Sequence, residues 1–294
     1  MIPLRFTQNF LKDTHLVDRL VQLADIKNGD TVLEIGPGKG IITAVLAKKV
    51  GPKGRVVAVE LDENLHTTLK ETFAAVPQVE LFHKDILSFP LRSLGAKYSV
   101  FSNIPFAITA PLLEKLFQPI SGPENAWLIL QTDTLQDFSK GKARPTFKSL
   151  LLEPLYELEN LYDFSRSDFS PQPQADTALF FLNRRAQPLL DPQKYSLYQN
   201  FLAFISRDRV GEGAWKKLLN KRQLEQIART AKLVINKGLK SQSTTTLLDT
   251  FAELERSHGE SLTAVRGALK RLRSEQAQQS RTTELDGHHR TRPK

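Results

Sequence analysis

An α/β fold, a parallel sheet flanked by helices, is predicted for this 294-residue chain by three observations. The strand-like run Thr31-Val-Leu-Glu34-Ile35 ends in the glycine turn Gly36-Pro-Gly38-Lys-Gly40, and helix-spaced residues follow from Ile41 to Val50. A second apolar strand, Val56 to Val59, ends in Glu60, about twenty residues past the glycines, where α/β folds place a carboxylate against ribose hydroxyls. A third, Val79-Glu-Leu-Phe82, is followed closely by Asp85. Strands that alternate with helices in this way build βαβ units, and such units gather their ligand site at the carboxyl ends of the strands.

The composition narrows the class. Hydrophobic residues make up 40%, enough for a sizeable core, and the net charge of +9 favours a polyanionic partner. The absence of cysteine excludes disulfides, thiolate metal sites and cysteine nucleophiles. Pro3 and Arg5 interrupt the first residues, which rules against a signal peptide, and no apolar run reaches the ~20 residues of a membrane span. A cytoplasmic monomer with no membrane partner is expected. His288-His289 lacks further ligands at metal-binding spacing, so no metal site is expected.

Taken in order, Phe6 to Leu11 is short and mixed, and Thr14 to Ala24 repeats its apolar residues with a helical period. The turn is Gly-x-Gly-x-Gly and lacks the spacing of the dinucleotide fingerprint, so it suits a ligand that lies against the backbone without a wrapped pyrophosphate. Glu60, an acceptor only when ionised, suits two sugar hydroxyls, while Asp62 is placed to cap the helix expected from Asn64 to Ala75. Asp85 can accept from an exocyclic amine, with Ile86 against the ring. The fourth strand, Tyr98 to Ser102, runs into Asn103-Ile104-Pro105-Phe106. Asn103 offers an acceptor and a donor, Pro105 fixes the backbone, and Phe106 offers a face on which a base can stack. A helix follows from Thr109 to Phe117, and Ala126 to Leu130 reads as the fifth strand.

Past about Leu189 the composition shifts. From Ser206 to Lys240 stand Arg207, Arg209, Lys216, Lys217, Lys221, Arg222, Arg229, Lys232, Lys237 and Lys240 against Asp208, Glu212 and Glu225. Helical apolar spacing at Trp215, Leu218, Leu219, Leu224 and Ile227 points to a small helical domain with one basic face turned to RNA. The domains expected are 1–188, 189–275 and a disordered basic tail, 276–294.

Together, Gln8-Asn9-Phe10-Leu11, Glu34-Ile-Gly36-Pro-Gly38-Lys-Gly40, Val59-Glu60-Leu61-Asp62, Lys84-Asp85-Ile86-Leu87 and Ser102-Asn103-Ile104-Pro105-Phe106 resemble the ordered motifs of the S-adenosylmethionine-dependent rRNA adenine dimethyltransferases, the KsgA/Erm superfamily. Within it the chain is most similar to the Erm enzymes, which methylate 23S rRNA and confer macrolide, lincosamide and streptogramin B resistance. The run Ser-Asn-Ile-Pro-Phe followed by Ala-Ile-Thr-Ala-Pro is more Erm-like than the Asn-Leu-Pro-Tyr usual in the KsgA-type 16S rRNA enzymes. The resemblance covers about residues 6 to 190 and continues more loosely to about 255. It departs after the fifth strand, where Gln131 to Phe138 lacks the usual basic residues and the charges come later, at Lys140, Lys142, Arg144 and Lys148.

The resemblance implies a class I, Rossmann-like methyltransferase that binds S-adenosyl-L-methionine and acts on 23S rRNA. It places Asn9 and Leu11 at the methionine end of the cofactor or over it as a lid, Gly36 and Gly38 beneath it, Glu60 at the ribose and Asp85 at the adenine with Ile86 against the ring, and counts Gln8 and Leu61 among the cofactor-binding residues. Asn103, Ile104, Pro105 and Phe106 would face the target base. Three alternatives stand beside it: a KsgA-like 16S rRNA enzyme, a non-catalytic RNA-binding relative and a nicotinamide dehydrogenase. The short glycine turn and the lack of a proton relay weigh against the last.

Overall fold

The strands expected from the apolar runs pair into one seven-stranded sheet, seen in a computed structural model that describes residues 9–137, 144–207, 212–276 and 278. Two compact units divide the chain, the first formed by Met1–Thr134 with Leu155–Gln187 and the second by Leu135–Pro154 with Pro188–Lys294.

In the first unit the elements are β1 (Phe10–Leu11), α1 (Thr14–Leu23), β2 (Thr31–Ile35), α2 (Ile41–Val50), β3 (Arg55–Glu60), α3 (Glu63–Thr72), β4 (Val79–His83), β5 (Ser99–Asn103), α4 (Thr109–Leu116) and β6 (Asn125–Gln131). The chain then passes through β7 (Gln136–Asp137), β8 (Arg144–Pro145) and α5 (Phe147–Leu152) of the second unit. It returns to the first with β9 (Tyr156–Asp163), β10 (Phe169–Ser170) and β11 (Thr177–Arg184).

Strand order is β4-β3-β2-β5-β6-β11-β9. The first five run parallel, β11 is antiparallel to β6, and β9 is antiparallel to β11. From β2 the chain steps outward through β3 to β4, then crosses to β5 and steps out the other way. That reversal lies between β2 and β5, and an open α/β sheet forms its ligand crevice at such a point. The α/β, Rossmann-like prediction is borne out.

Local chemistry explains the boundaries. Asp13 caps α1 by accepting from the His15 amide, and Asp62 caps α3 by accepting from Asn64 and Leu65. The apolar positions of α1, namely Leu16, Val17, Leu20 and Val21, pack with Leu46 and Val50 of α2 and with Val32, Phe101 and Ile129 of the sheet. No helix among the described residues is long and apolar enough to cross a membrane.

The second unit contains β7, β8 and α5 together with α6 (Tyr195–Ser206), α7 (Glu212–Leu218), α8 (Lys221–Ala231) and α9 (Thr244–His258), and residues 268–276 are helical. Trp215, Leu218, Leu219, Leu224 and Ile227 are all buried, as their spacing predicts. Lys216, Lys217, Lys221, Arg222, Arg229 and Lys232 are exposed. The structure departs from the expected continuous domain 1–188, because residues 135–154 group with the helical unit. The reason is packing: Phe147 of α5 sits against Ala203, Ala268 and Leu269, and the Tyr195 hydroxyl donates to the Leu151 carbonyl at 2.7 Å. Residue 276 is helical, so it does not begin the expected tail. Lys140, Lys142, Asp208, Arg209 and tail residues 277 and 279–294, His288 and His289 among them, lie outside the described residues.

Candidate active site

At the crevice, Ser102 joins the carboxyl ends of β2 and β5. Its hydroxyl donates to the Ile35 carbonyl at 2.6 Å and accepts from the Ile35 amide at 3.2 Å. This double bond between neighbouring strands holds the glycine turn beside the Asn-Ile-Pro-Phe run. Gly36 adopts φ 62°, and a Cβ there would stand 3.7 Å from Pro105 Cγ.

Gly38, at φ 58°, is required twice over. The backbone conformation is one that L side chains rarely adopt, and a Cβ would collide with the Phe10 ring. Its amide donates to Glu60 Oε2 at 3.1 Å, while Oε1 accepts from the Leu61 and Asp62 amides at 2.9 Å each. Glu60 is only 1% exposed, and these three donors hold it as a carboxylate would be held. A carboxylate has about four lone-pair sites, so one on Oε2 stays open to a ligand hydroxyl. Asp62 acts as the helix cap, the division of labour that the sequence suggests.

Asp85, just beyond β4, is exposed; its Oδ1 accepts from the Leu87 amide at 2.8 Å, and Oδ2 has no partner among the described residues. Leu61, just past β3, is 45% exposed, whereas Ile86 is 4% exposed and belongs to the core. Of Leu61 and Ile86, both expected in the cofactor site, the structure exposes the side chain of Leu61 and buries that of Ile86.

Beside the glycine turn, Asn9, Phe10, Gly36, Asn103, Ile104, Pro105 and Phe106 line an open cavity. The Asn103 side chain donates from Nδ2 to the Asn9 carbonyl at 2.7 Å, which leaves Oδ1 as an acceptor. The Pro105 carbonyl already accepts from the Ile108 amide at 3.1 Å and the Thr109 hydroxyl at 3.4 Å. The Ile104 carbonyl takes no hydrogen bond among the described residues, so it is the better second acceptor of the two that the sequence leaves open. Phe106 is half-buried at the start of a 3-10 turn and lines the same cavity.

One expectation changes. Leu11 does not face the cavity: it pairs with Phe169 across β1 and β10, is 5% exposed and packs in the core. Strand alternation decides this, since neighbours on β1 point to opposite sides, and Phe10 takes the lining position. Gln8 lies outside the described residues.

Glu34 is the residue that sequence reasoning passes over. It sits in β2, one residue before the strand ends, and it is 1% exposed. Neither carboxyl oxygen nor the nearby Thr43 hydroxyl completes a hydrogen bond among the described residues. Burial pushes the carboxyl from 4.5 up to about 8, with Thr43 opposing the shift and the Glu60 charge adding to it. An acid inside the otherwise apolar Val32-Leu33-Glu34-Ile35 was the available signal.

A cradle of this kind fits S-adenosylmethionine. The glycine turn allows close approach, Glu60 keeps an open acceptor suited to a ribose hydroxyl, Asp85 keeps a free carboxyl oxygen suited to an amine, and Gly36 of the turn lines one cavity with the Asn103 amide. Comparison with known proteins gives the family. The family model described as ribosomal RNA adenine dimethylase matches residues 3–256. A ribosomal RNA small subunit methyltransferase A of Ligilactobacillus salivarius is 27% identical over 253 residues, 78% of this chain and 84% of its own. Its counterpart in Thermotoga neapolitana is 32% identical over 200 residues, 67% and 73% of the two chains. Among solved structures, the 23S rRNA methyltransferase ErmE superposes with a TM-score of 0.70 at 24% identity, over 84% of this chain and all of its own. A Plasmodium falciparum dimethyladenosine transferase gives 0.65 at 18%, over 84% and 98%. By this match across most of its length, the chain belongs to the ribosomal RNA adenine dimethylase family, with the Rossmann-like fold and S-adenosylmethionine cofactor of such methyltransferases.

Proposed function

We propose that the protein methylates the exocyclic N6 amine of an adenine in ribosomal RNA. One observation carries the reading: the Asn103 amide, oriented by the Asn9 carbonyl, keeps Oδ1 as an acceptor in a cavity that Ile104 and Phe106 also line.

The adenine amine is a weak nucleophile because its lone pair is delocalised into the ring. Accepting its two hydrogens at Asn103 Oδ1 and the Ile104 carbonyl draws that pair back onto nitrogen. S-adenosylmethionine, when bound, supplies the electrophilic methyl group. Glu60 would hold the ribose through its open lone pair, Leu61 and Asp85 the adenine, and the glycine turn would lie beneath. Phe106 stacks on the target ring and offsets part of the unstacking cost, on the order of a few kcal/mol, when the base leaves its RNA. No side-chain base is needed at this amine, since the nitrogen becomes acidic only once it is methylated and then releases its proton to water. Alignment of amine and methyl group accounts for most of the rate. The exposed lysines and arginines of α7 and α8 would hold the RNA by its phosphates.

For the RNA we take 23S as the first reading, with macrolide, lincosamide and streptogramin B resistance as its consequence. Support comes from Ile104 and Phe106 in the base-facing run, the Erm-like form of that motif. A second reading, 16S rRNA, is favoured by the small subunit methyltransferases A at 27% and 32% identity. Radiolabelled methyl transfer to purified 23S and 16S rRNA, followed by primer extension to locate the adenine, tests both. Labelling of 16S alone would overturn the first reading, and labelling of neither would overturn rRNA methylation altogether.

A further inference from the structure

The turn that carries Glu60, Leu61 and Asp62 is held from two sides, and only one side belongs to the site already described. On the amide side, Glu60 Oε1 accepts from Leu61 and Asp62. On the carbonyl side, His83 Nε2 lies 3.1 Å from the Leu61 oxygen. A carbonyl oxygen can only accept, so His83 must be the donor, through the Nε2–H form of its ring. Glu60 and His83 are register partners at the ends of β3 and β4, and one step beyond them the Lys84 amide donates to the Glu60 carbonyl at 2.9 Å. The imidazole therefore adds a side-chain rung just where the backbone ladder between the two strands runs out.

That ring is itself braced. His66, on α3, stacks on His83 with centroids 5.3 Å apart and planes 26° from parallel. The helix carrying His66 is capped by Asp62, the residue whose amide Glu60 holds. Turn, helix and strand end thus close a ring of interactions in which His83 is the link between the Glu60 side and the Asp85 side.

We propose that His83 is a positioning residue for the nucleoside half of the cofactor seat. It touches neither the methyl donor nor the target base. By holding the Leu61 carbonyl, it fixes the half-exposed Leu61 side chain against the ring position and sets the span between Glu60 and Asp85. That span must match the distance from ribose to adenine, and a hydrogen bond across two strand ends is a short, direct way to fix it. The inference rests on the cofactor-seat reading of Glu60 and Asp85 given above.

The test compares His83→Leu, His83→Gln and Glu60→Gln in the full chain. Glutamine can place its Nε2 near the imidazole Nε2 and keeps a donor, whereas leucine keeps bulk alone. Calorimetric titration with S-adenosylmethionine should show affinity about five- to tenfold weaker in the leucine variant, the scale of one missing hydrogen bond, and within about twofold of the parent in the glutamine variant. The KM for the cofactor should follow, with kcat at saturating cofactor little changed. In the cofactor-free protein, hydrogen exchange at the Leu61 and Asp62 amides should quicken for leucine and stay slow for glutamine. Leucine binding as tightly as the parent, or glutamine as weakly as leucine, would overturn the proposal. Glu60→Gln separates the two levels: unchanged affinity there removes the seat itself, whereas weakened affinity there with unchanged affinity in His83→Leu removes only the role of His83.

Discussion

Asn103 donates from its side-chain amide to the backbone carbonyl of Asn9 at 2.7 Å, joining two residues 94 positions apart. The bond settles which end of the amide faces the cavity. With Nδ2 committed to Asn9, Oδ1 is the atom left as an acceptor, and the residue just before β1 becomes part of the candidate site without supplying a reacting group.

Asn103→Ala should lower methyl transfer on the order of a hundredfold or more, comparable to losing one preorganised polar partner of a transition state, while the fold stays intact. Asn103→Asp should be nearly as damaging, because a carboxylate would face the Asn9 carbonyl with no donor. Single-turnover transfer to rRNA, alongside circular dichroism, checks both. Turnover near the parent level in the alanine variant would remove Asn103 from the mechanism.

Phe106→Ala should cost more in RNA methylation than in cofactor affinity, because the ring is assigned to the target base. Transfer rates should fall by about tenfold or more, the scale of one missing base stack. Calorimetry with S-adenosylmethionine should move less than about threefold, well inside the effect of a stack. Equal reductions in both measurements would argue against stacking.

Gly38→Ala should unseat the glycine turn. The new methyl group would meet the Phe10 ring, and the positive φ adds strain of about 1 kcal/mol or more. We expect a lower melting temperature together with weakened cofactor binding. A paired Phe10→Ala change should relieve the collision but not the backbone strain, so recovery in the double variant should be partial.

Glu34 gives a pH signature. Its folded-state pKa is raised, to about 8 against 4.5, so the folded protein holds a proton that the unfolded chain gives up. The stability this contributes is complete below about pH 4.5 and is lost as pH rises through 8. Glu34→Gln, neutral throughout, should match the parent near pH 5 and melt higher near pH 9, by on the order of a few kcal/mol in stability. Thermal melts across this range would show the two curves diverging upward in pH; parallel curves would count against a buried proton.

Lys221, Arg222 and Arg229 lie exposed on α8 while Leu224 and Ile227 of the same helix are buried. Replacing all three with alanine should weaken rRNA binding and reduce the slope of log affinity against log salt by about 2, since each phosphate that the protein neutralises adds about 0.7–0.9 to that slope. Filter binding over a salt series measures it. An unchanged slope would place the RNA on another surface.

Much of the fold was legible in the chain. The strands at Thr31, Arg55, Val79, Ser99 and Asn125 were visible because each is a short apolar run bounded by a turn or an acid, and the glycine turn at Gly36 to Gly40 fell where it was read. What escaped had a common cause. Leu11, Ile86 and Phe10 sit on strands or turns where neighbouring residues face opposite ways, and local sequence does not say which way is inward. Residues 135–154 joined the helical unit through Phe147 and Leu151, whose partners at Ala203 and Tyr195 lie 44 residues or more away and leave no mark on local composition.

The sequence by itself determined the alternation of strands and helices, the position of the glycine turn and the chemical character of each motif, because these depend on spacing and residue type over a few positions. Only the tertiary structure decided which carbonyl beside Asn103 stays open, which end of its amide faces the cavity, and that Glu34 is buried without a hydrogen-bond partner among the described residues. Each of those depends on hydrogen bonds and burial between segments far apart in the chain, and such pairings exist only once the sheet has brought β2, β3, β4 and β5 into register.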